Sequence, residues 1–525
     1  MVLPETKPYR RARINRHTLL LTLVLLYAAG FRLLALDRPF HADAEGSGSM
    51  YGVLARNYLR FDLAHTHGMP VLTVGQPPLA NRLVFYPDHP PLVPLLIVPF
   101  YAAFGVGEWQ TRLPFSIVTV MAIYALYLLS ARWATPRVAL MAATLFAATP
   151  MTLYFGGFPE VVGMPLILLV LLAVFGYLRF HRRPSLVTFV PFVAAFTLAG
   201  LCDWPAYLVV PVLLTHFVMT QPRRQWPWMM AFGAMAAVLF VGVYAYISLA
   251  THLPWNWMVP LLRRRSAVVG VNPFTLSQWL GAAAVYNRTY HTLPLLAASG
   301  LWLVVFGFRR RHPPPGTTAA RILMAVGILH VVVGGKAVYD HAWWWSPLTP
   351  GIVLSAALVV EWVLQFGRRQ GYPNAGGRIV AVGLVLFAAW TGFTTYRQLY
   401  PVTRDVPFTP MELGQAIRVA APDPNDLALI VGGEGAAAQL WFYGDRALRT
   451  RVWSPQDFER RLHDETADLV FDFDVQSWSA AATGIVFPRV WGQDFGTLRS
   501  YLTERYPSAS LPPVLAEKFE VFDLR

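Results

Sequence analysis

Cysteine is all but missing. Cys202 is the only one in 525 residues, which excludes an intrachain disulfide and a cysteine-based metal site. Charge is scarce too: 14% of residues are Asp, Glu, Lys or Arg against 55% hydrophobic, with a mean hydropathy of +0.43. A water-soluble domain could not hide that much apolar surface. Acidic residues are the scarcer sign, 29 against 43 basic, for a net charge of +14. The Lys and Arg gather in short clusters between apolar runs, where topology signals belong, and nucleic-acid binding is set aside on that ground. Neither an internal repeat nor a low-complexity tract is visible.

Long apolar runs are what the chain has in abundance. Stretches such as HTLLLTLVLLYAAGFRLLAL have the roughly 17 to 20 residues that cross a bilayer core as helix. The basic opening MVLPETKPYRRARINRH imitates a secretory signal. Its apolar run exceeds the roughly 7 to 15 residues of a signal core, and Asp37 and Arg38 separate it from the cleavage-like Ala42-Asp43-Ala44, so a retained anchor is expected.

Basic clusters fall at the start, at Arg132 and Arg137, and in RFHRRP, QPRRQW, FRRRHPPPGTTAAR and FGRRQGYPNAGGR. The positive-inside rule places them in the cytoplasm and gives about eleven spans. The opposite side receives loop 37–91, GGFPE, CDWP, residues 251–291, GKAVYDHAWWW and everything after Tyr396. PPLVPLLIVPFYAAFG is short and broken by proline, and is expected as an interfacial or re-entrant helix. Arg263, Arg264 and Arg265 fall on the external side against the rule and need another role.

The fold expected is therefore an α-helical polytopic membrane domain over residues 1–395, with 37–91 as its first external loop, followed by a small extracytoplasmic α/β domain over 396–525. In that domain LALIVGG, ADLVFDFD and EKFEVFDL alternate with helical stretches. Gly433-x-Gly435-x-x-Ala438 has the form of a dinucleotide fingerprint, but a tight strand-to-helix turn explains it equally, and no acidic residue ends a clear next strand.

Asp43, Glu45, His89, Glu160, Asp203, Lys336, Asp340 and His341 all lie at the external ends of spans or in the loops between them. Ionisable groups beside a membrane are costly, so their gathering at one level points to a site. In FHADAEGSGSMYGVLARNYLRFD, Gly46 and Gly48 free the backbone, and SMYGVLARNYLRF reads as an amphipathic helix at the surface. In YPDHPPLVPLL, Asp88, His89 and the prolines cap the re-entrant run.

The order of an acidic first loop, LARNYL, YPDHPPLVPLL, FGVGEWQTRLP, TPMTLYFGGFPEVVGMPL and LCDWPAYLVVP resembles the polytopic GT-C glycosyltransferases. The likeness is to the bacterial branch similar to protein O-mannosyltransferases and aminoarabinose transferases, and it spans roughly the first 400 residues. It implies inverting transfer of a sugar from a polyprenyl-phosphate donor to an acceptor hydroxyl outside the cytoplasm. Asp43 is the implied general base, with Glu45 two residues along as the other candidate, since many relatives carry adjacent Asp-Glu where this chain has DAEGSGSMY. Glu160 matches an acidic position of the second external loop, to orient the acceptor or support Asp43; a helix-start carboxylate is the plainer reading.

Arg263, Arg264, Arg265, Arg288 and Lys336 are the candidates for the donor phosphate, with headgroup attraction as the alternative for the triple arginine. His89, Asp203, Asp340 and His341 are candidate substrate contacts. Asp203 reads equally as an N-cap and His89 as a packing group, and two or more of the tryptophans in YDHAWWW are expected as membrane anchors. Asp43, Glu45, His89 and His341 offer ligands for a divalent cation, but nothing fixes their spacing and no cofactor is required. Glycolipid, polysaccharide and protein acceptors all fit, and the composition suits a bacterial inner membrane. A transporter or flippase for a lipid-linked sugar is the alternative, though repeated halves and broken midplane helices are not evident; a non-catalytic scaffold is the third reading.

Overall fold

The computed structural model describes residues 16–34, 36–40, 45–75, 83–269, 272–307, 314–370, 375–399, 408–432, 437–464, 466–467, 476–477, 482–489 and 495–525. Asp43 and the turn through Gly433 and Gly435 lie outside the described residues. Among the described residues the long apolar runs are helical. Among the described residues six helices are long and apolar enough to cross a bilayer: Arg16–Leu33, Glu108–Trp133, Met164–Arg182, Arg223–Thr251, Ala342–Arg369 and Ile379–Gln398. Leu276–Tyr290 and Leu293–Gly307 make a further pair bent by 107°. The shorter apolar helices, Pro136–Ala148, Leu186–Cys202, Trp204–Thr220 and Thr317–Val333, fall below that length, so length alone stops short of the number of spans the basic loops call for.

Proline sets many of the boundaries. It occupies the first or second position of the helices Pro136–Ala148, Met164–Arg182, Trp226–Thr251 and Thr349–Arg369, where its missing N–H costs nothing and its fixed φ suits the turn. Small residues then bring helices together: a Cβ on Gly176 would lie 2.8 Å from the Phe192 backbone, and that close approach seats Met164–Arg182 against Leu186–Cys202. The run expected to be re-entrant is two short helices, Leu92–Leu95 and Val98–Phe104.

The helix Gly46–His65 is not the surface helix its pattern suggests. It is buried from Gly48 through Tyr58, because the helix Ala437–Tyr443, nearly 400 residues later, lies against it. Gly52 admits Phe442 and Tyr101 at distances that leave no room for a Cβ. Gly48, where a Cβ would meet the Phe40 ring at 2.8 Å, is likewise a site of close approach inside a helix, whereas the nearest neighbour of a Cβ on Gly46 is at 3.7 Å.

The C-terminal part carries a four-stranded sheet in the order Ala447–Val452, Leu427–Val431, Ala482–Pro488, Phe519–Asp523. The first three strands run parallel and the last antiparallel, with Leu427 opposite Ala447 and Ile485 opposite Phe522. Leu427–Val431 is buried along its whole length, as a central parallel strand covered on both faces must be. The helix Pro410–Ala420 covers one face, opened by a Thr409–Glu412 capping box. Phe458, Leu498 and Leu502 cover the other.

Candidate functional site

A cavity of about 250 Å³ opens between the helix Met258–Arg265, the turn at His89, the Asp203–Leu208 turn and the segment from His330 to Trp344. Trp204, Tyr207, Phe240 and Leu262 are among its apolar walls, and Arg265, His89 and Asp203 bring charge and hydrogen bonding.

The three consecutive arginines form the last turn of Met258–Arg265. Lys336 Nζ donates to the carbonyls of Arg263 at 2.6 Å and Val269 at 3.2 Å. The first of these is a carbonyl of the last turn, which a helix end leaves open, and the second lies just beyond the helix, so the place of Lys336 is under the arginine turn. The three arginines diverge. Arg263 is exposed; Arg264 Nη2 stands 3.9 Å from Asp88 Oδ2; Arg265 lies over the Trp344 ring at 5.8 Å and lines the cavity. Arg288 is exposed on Leu276–Tyr290 and does not line it.

His89 and Asp203, 114 residues apart, form a buried pair with Nδ1 2.8 Å from Oδ1. The same Oδ1 accepts the Trp204 N–H at 2.8 Å. A carboxylate can only accept here, so Nδ1 carries the hydrogen and Nε2 is left for another partner. Asp203 Oδ2 is buried without a hydrogen bond.

Glu160 lies in the turn before Met164–Arg182 and is 5% exposed. Burial pushes its carboxyl up to about 7, against the pull of a Ser47 hydrogen bond and the charges of His89 and Arg265, with Asp203 adding to the rise. Its Oε1 is buried without a hydrogen bond. His89, Asp203, Glu160 and Arg265 are thus brought together from four separate segments. A carboxyl that titrates near neutrality, a histidine oriented by an aspartate and an arginine in an apolar cleft can move a proton and receive an anion.

Asp340 is exposed, and His341 stacks on Trp343 with centroids 4.5 Å apart; neither lines the cavity. Burial and then the Arg265 charge push His341 down to about 4, so it stands neutral above that pH.

Glu45 stands at the N-cap position of the helix Gly46–His65 without a side-chain capping bond, and forms a buried ion pair with Arg112, Nη2 to Oε1 3.0 Å. Arg112 also donates through Nη1 to the Leu36 carbonyl at 2.9 Å and to that of Arg38, and its guanidinium lies 4.3 Å from the Phe40 ring centroid. Both flanks of the segment holding Asp43 are therefore tied to one side chain. Sequence reasoning passed over Arg112; its signal was a lone arginine near the start of the apolar helix Glu108–Trp133. Among the described residues no three His, Cys, Asp or Glu side chains gather as a metal site. Glu45 and His89, two of the ligands considered for a cation, are engaged with Arg112 and Asp203.

Residues 88–255 match the family model described as dolichyl-phosphate-mannose-protein mannosyltransferase. The chain is similar in structure to ArnT from Cupriavidus metallidurans bound to undecaprenyl phosphate, with a TM-score of 0.61 at 15% identity, covering 95% of this chain and 97% of that one. It is also similar to the Archaeoglobus fulgidus oligosaccharyltransferase in the apo form, with a TM-score of 0.55 at 12% identity over 92% of this chain and 71% of that one. No curated protein matches it by sequence. With these likenesses and its apolar helices, the chain is a polytopic membrane protein with the GT-C glycosyltransferase fold.

Proposed function

We propose that this protein is an inverting glycosyltransferase that moves a sugar from a polyprenyl-phosphate donor to an acceptor hydroxyl on the extracytoplasmic face of a bacterial inner membrane. The expectation of about eleven spans, with the basic loops cytoplasmic, supports that face for the candidate residues. The reading is carried by the cavity in which apolar walls meet Arg265 and the His89–Asp203 pair. An isoprenoid chain fits the walls and its phosphate the arginine. ArnT was solved with undecaprenyl phosphate, and the matching family model names dolichyl-phosphate-mannose, which supports a lipid-phosphate donor here.

In this reading the acceptor oxygen attacks the anomeric carbon from the face opposite the phosphate. Asp43 takes the hydroxyl proton, and the bond from the anomeric carbon to the phosphate oxygen breaks with its electron pair leaving on the carrier. Arg265, with Arg264 beside it, balances the charge that grows on the leaving phosphate. His89, turned by Asp203, offers Nε2 to the same group when protonated. Glu160, the buried carboxyl of the cluster, orients the acceptor. Glycolipid, polysaccharide and protein hydroxyls remain the acceptor classes.

Purified protein offered labelled polyprenyl-phosphate sugars tests this. Transfer by the wild type and a loss of about a hundredfold or more in Asp43→Asn, with carrier binding retained, support the assignment. Loss only in Glu45→Gln, in protein that is still folded and still binds the carrier, moves the base two residues along. Carrier bound with its sugar–phosphate bond intact, whatever acceptor is offered, overturns the transferase reading in favour of lipid movement.

A further inference from the structure

The sheet-bearing C-terminal part has no role in the chemistry above, yet it grips the first long loop at three places. Tyr443 is the first. Its hydroxyl accepts the N–H of Phe40, three residues before Asp43 in the chain, at 2.7 Å and donates to Glu108 Oε1 at 2.8 Å. The Phe40 ring stands at 5.1 Å, edge-on, from Phe442, while Arg112 lies on it.

Second, Arg56 on the buried helix donates to the carbonyls of Trp441 and Phe442, each at 3.2 Å. Third, Asp445 takes both loop arginines: Arg56 Nη2 stands 2.7 Å from Oδ1, and Arg60 forks onto both oxygens. Gly75 N–H adds a bond to Asp445 at 3.2 Å, and Arg60 returns to the Gly75 carbonyl at 2.8 Å. Burial raises the Asp445 carboxyl, but the two arginines and the Gly75 N–H outweigh it and hold it below the usual aspartate range.

These contacts sit at Phe40, along Gly46–His65 and at Gly75, so they bracket the acidic segment. Buried, charge-assisted and directed at backbone groups, they are of the kind that fixes geometry more than it adds affinity. We infer that the C-terminal part is a working component of the transfer centre, and that Tyr443 and Asp445 are positioning residues for the acidic loop; this rests on the transferase reading above.

Tyr443→Phe in the full-length protein is the sharpest test, because it keeps the ring packing and removes only the bridging hydroxyl. The expected result is a fall in kcat of about tenfold or more, as a displaced catalytic group produces, with KM for the polyprenyl-phosphate sugar within about twofold. Amide exchange at Phe40 should accelerate. Asp445→Asn should behave alike and Asp445→Glu recover part of the rate, while Arg499→Gln, which breaks an ion pair with Glu520 on the far side of the sheet, should turn over normally. Wild-type kcat in Tyr443→Phe, or a loss matched in Arg499→Gln, overturns the inference. Unchanged exchange at Phe40 overturns the anchoring irrespective of turnover. A wild type that transfers nothing defeats the transferase reading and the positioning claim with it, while the exchange result still reports whether Tyr443 anchors the loop.

Discussion

Replacing Glu160 by glutamine should make the protein more stable at neutral pH and leave it unchanged in acid. Burial raises the carboxyl from 4.5 to about 7, so between those values the folded state keeps a proton that the unfolded chain has released. Stability therefore falls as pH rises through that window and levels off above about pH 7. A difference of about 2.5 units corresponds to roughly 3 kcal/mol at the plateau. Glutamine keeps the shape and carries no charge to desolvate. Thermal unfolding of wild type and Glu160→Gln in the same detergent, from about pH 4 to pH 8, should show two curves that coincide in acid and part above pH 5, the variant higher. Turnover adds a second reading: if ionised Glu160 orients the acceptor, kcat in the wild type climbs through about pH 7, and that limb disappears in Glu160→Gln. A stability gap of equal size at both ends of the range refutes the burial argument, since only a titrating group makes it depend on pH.

Arg265→Ala should weaken binding of polyprenyl phosphate by about 10- to 100-fold, as loss of a charge-assisted contact does, with Arg265→Lys recovering only part because it lacks the planar fork; calorimetry with the carrier alone reads this. Lys336→Met should lower the melting temperature through a loss of about 1 to 3 kcal/mol, and weaken carrier binding although Lys336 points at backbone carbonyls. An unchanged affinity would uncouple that turn from the arginines. Glu45→Gln leaves Arg112 buried without its counter-charge and should cost about 3 to 5 kcal/mol, part of which Arg112→Met in the same chain restores; denaturant titration of the single and double variants decides it.

Some of this was legible in the sequence because it depends on near neighbours. Apolar runs and prolines at helix starts announce themselves locally, and so does the placing of His89, Glu160 and Asp203 in loops on the same side. Their convergence with Arg265 was readable as a common level, but the pairing was not. Nothing in DHPP or CDWP says that His89 Nδ1 meets Asp203 across 114 positions.

Lys336 shows the limit from the other direction. A cation on the right face suggests an anionic ligand, whereas its partners are carbonyls, which a sequence pattern does not display. The helix Gly46–His65 misled for a third reason. Its pattern marks a helix with an apolar side but cannot show that a second surface, built from residues 437–445, covers the rest. Gly48 was read for its backbone freedom, and its use turned out to be the space it leaves for Phe40, as Gly52 leaves space for Phe442.

The junction between Arg56 and the Trp441 carbonyl joins positions 385 residues apart, and that distance has a meaning during synthesis. At about 5 to 20 residues per second, the first loop leaves the ribosome roughly 20 to 80 s before its partner exists. Throughout that interval Arg56 and Arg60 have no Asp445 to meet, and the helix that carries them has an uncovered face. The nascent chain must insert most of its membrane helices around an unfinished loop. A segment made late then closes the first one, so a chain that stops short of Asp445 would leave two loop arginines without their carboxylate.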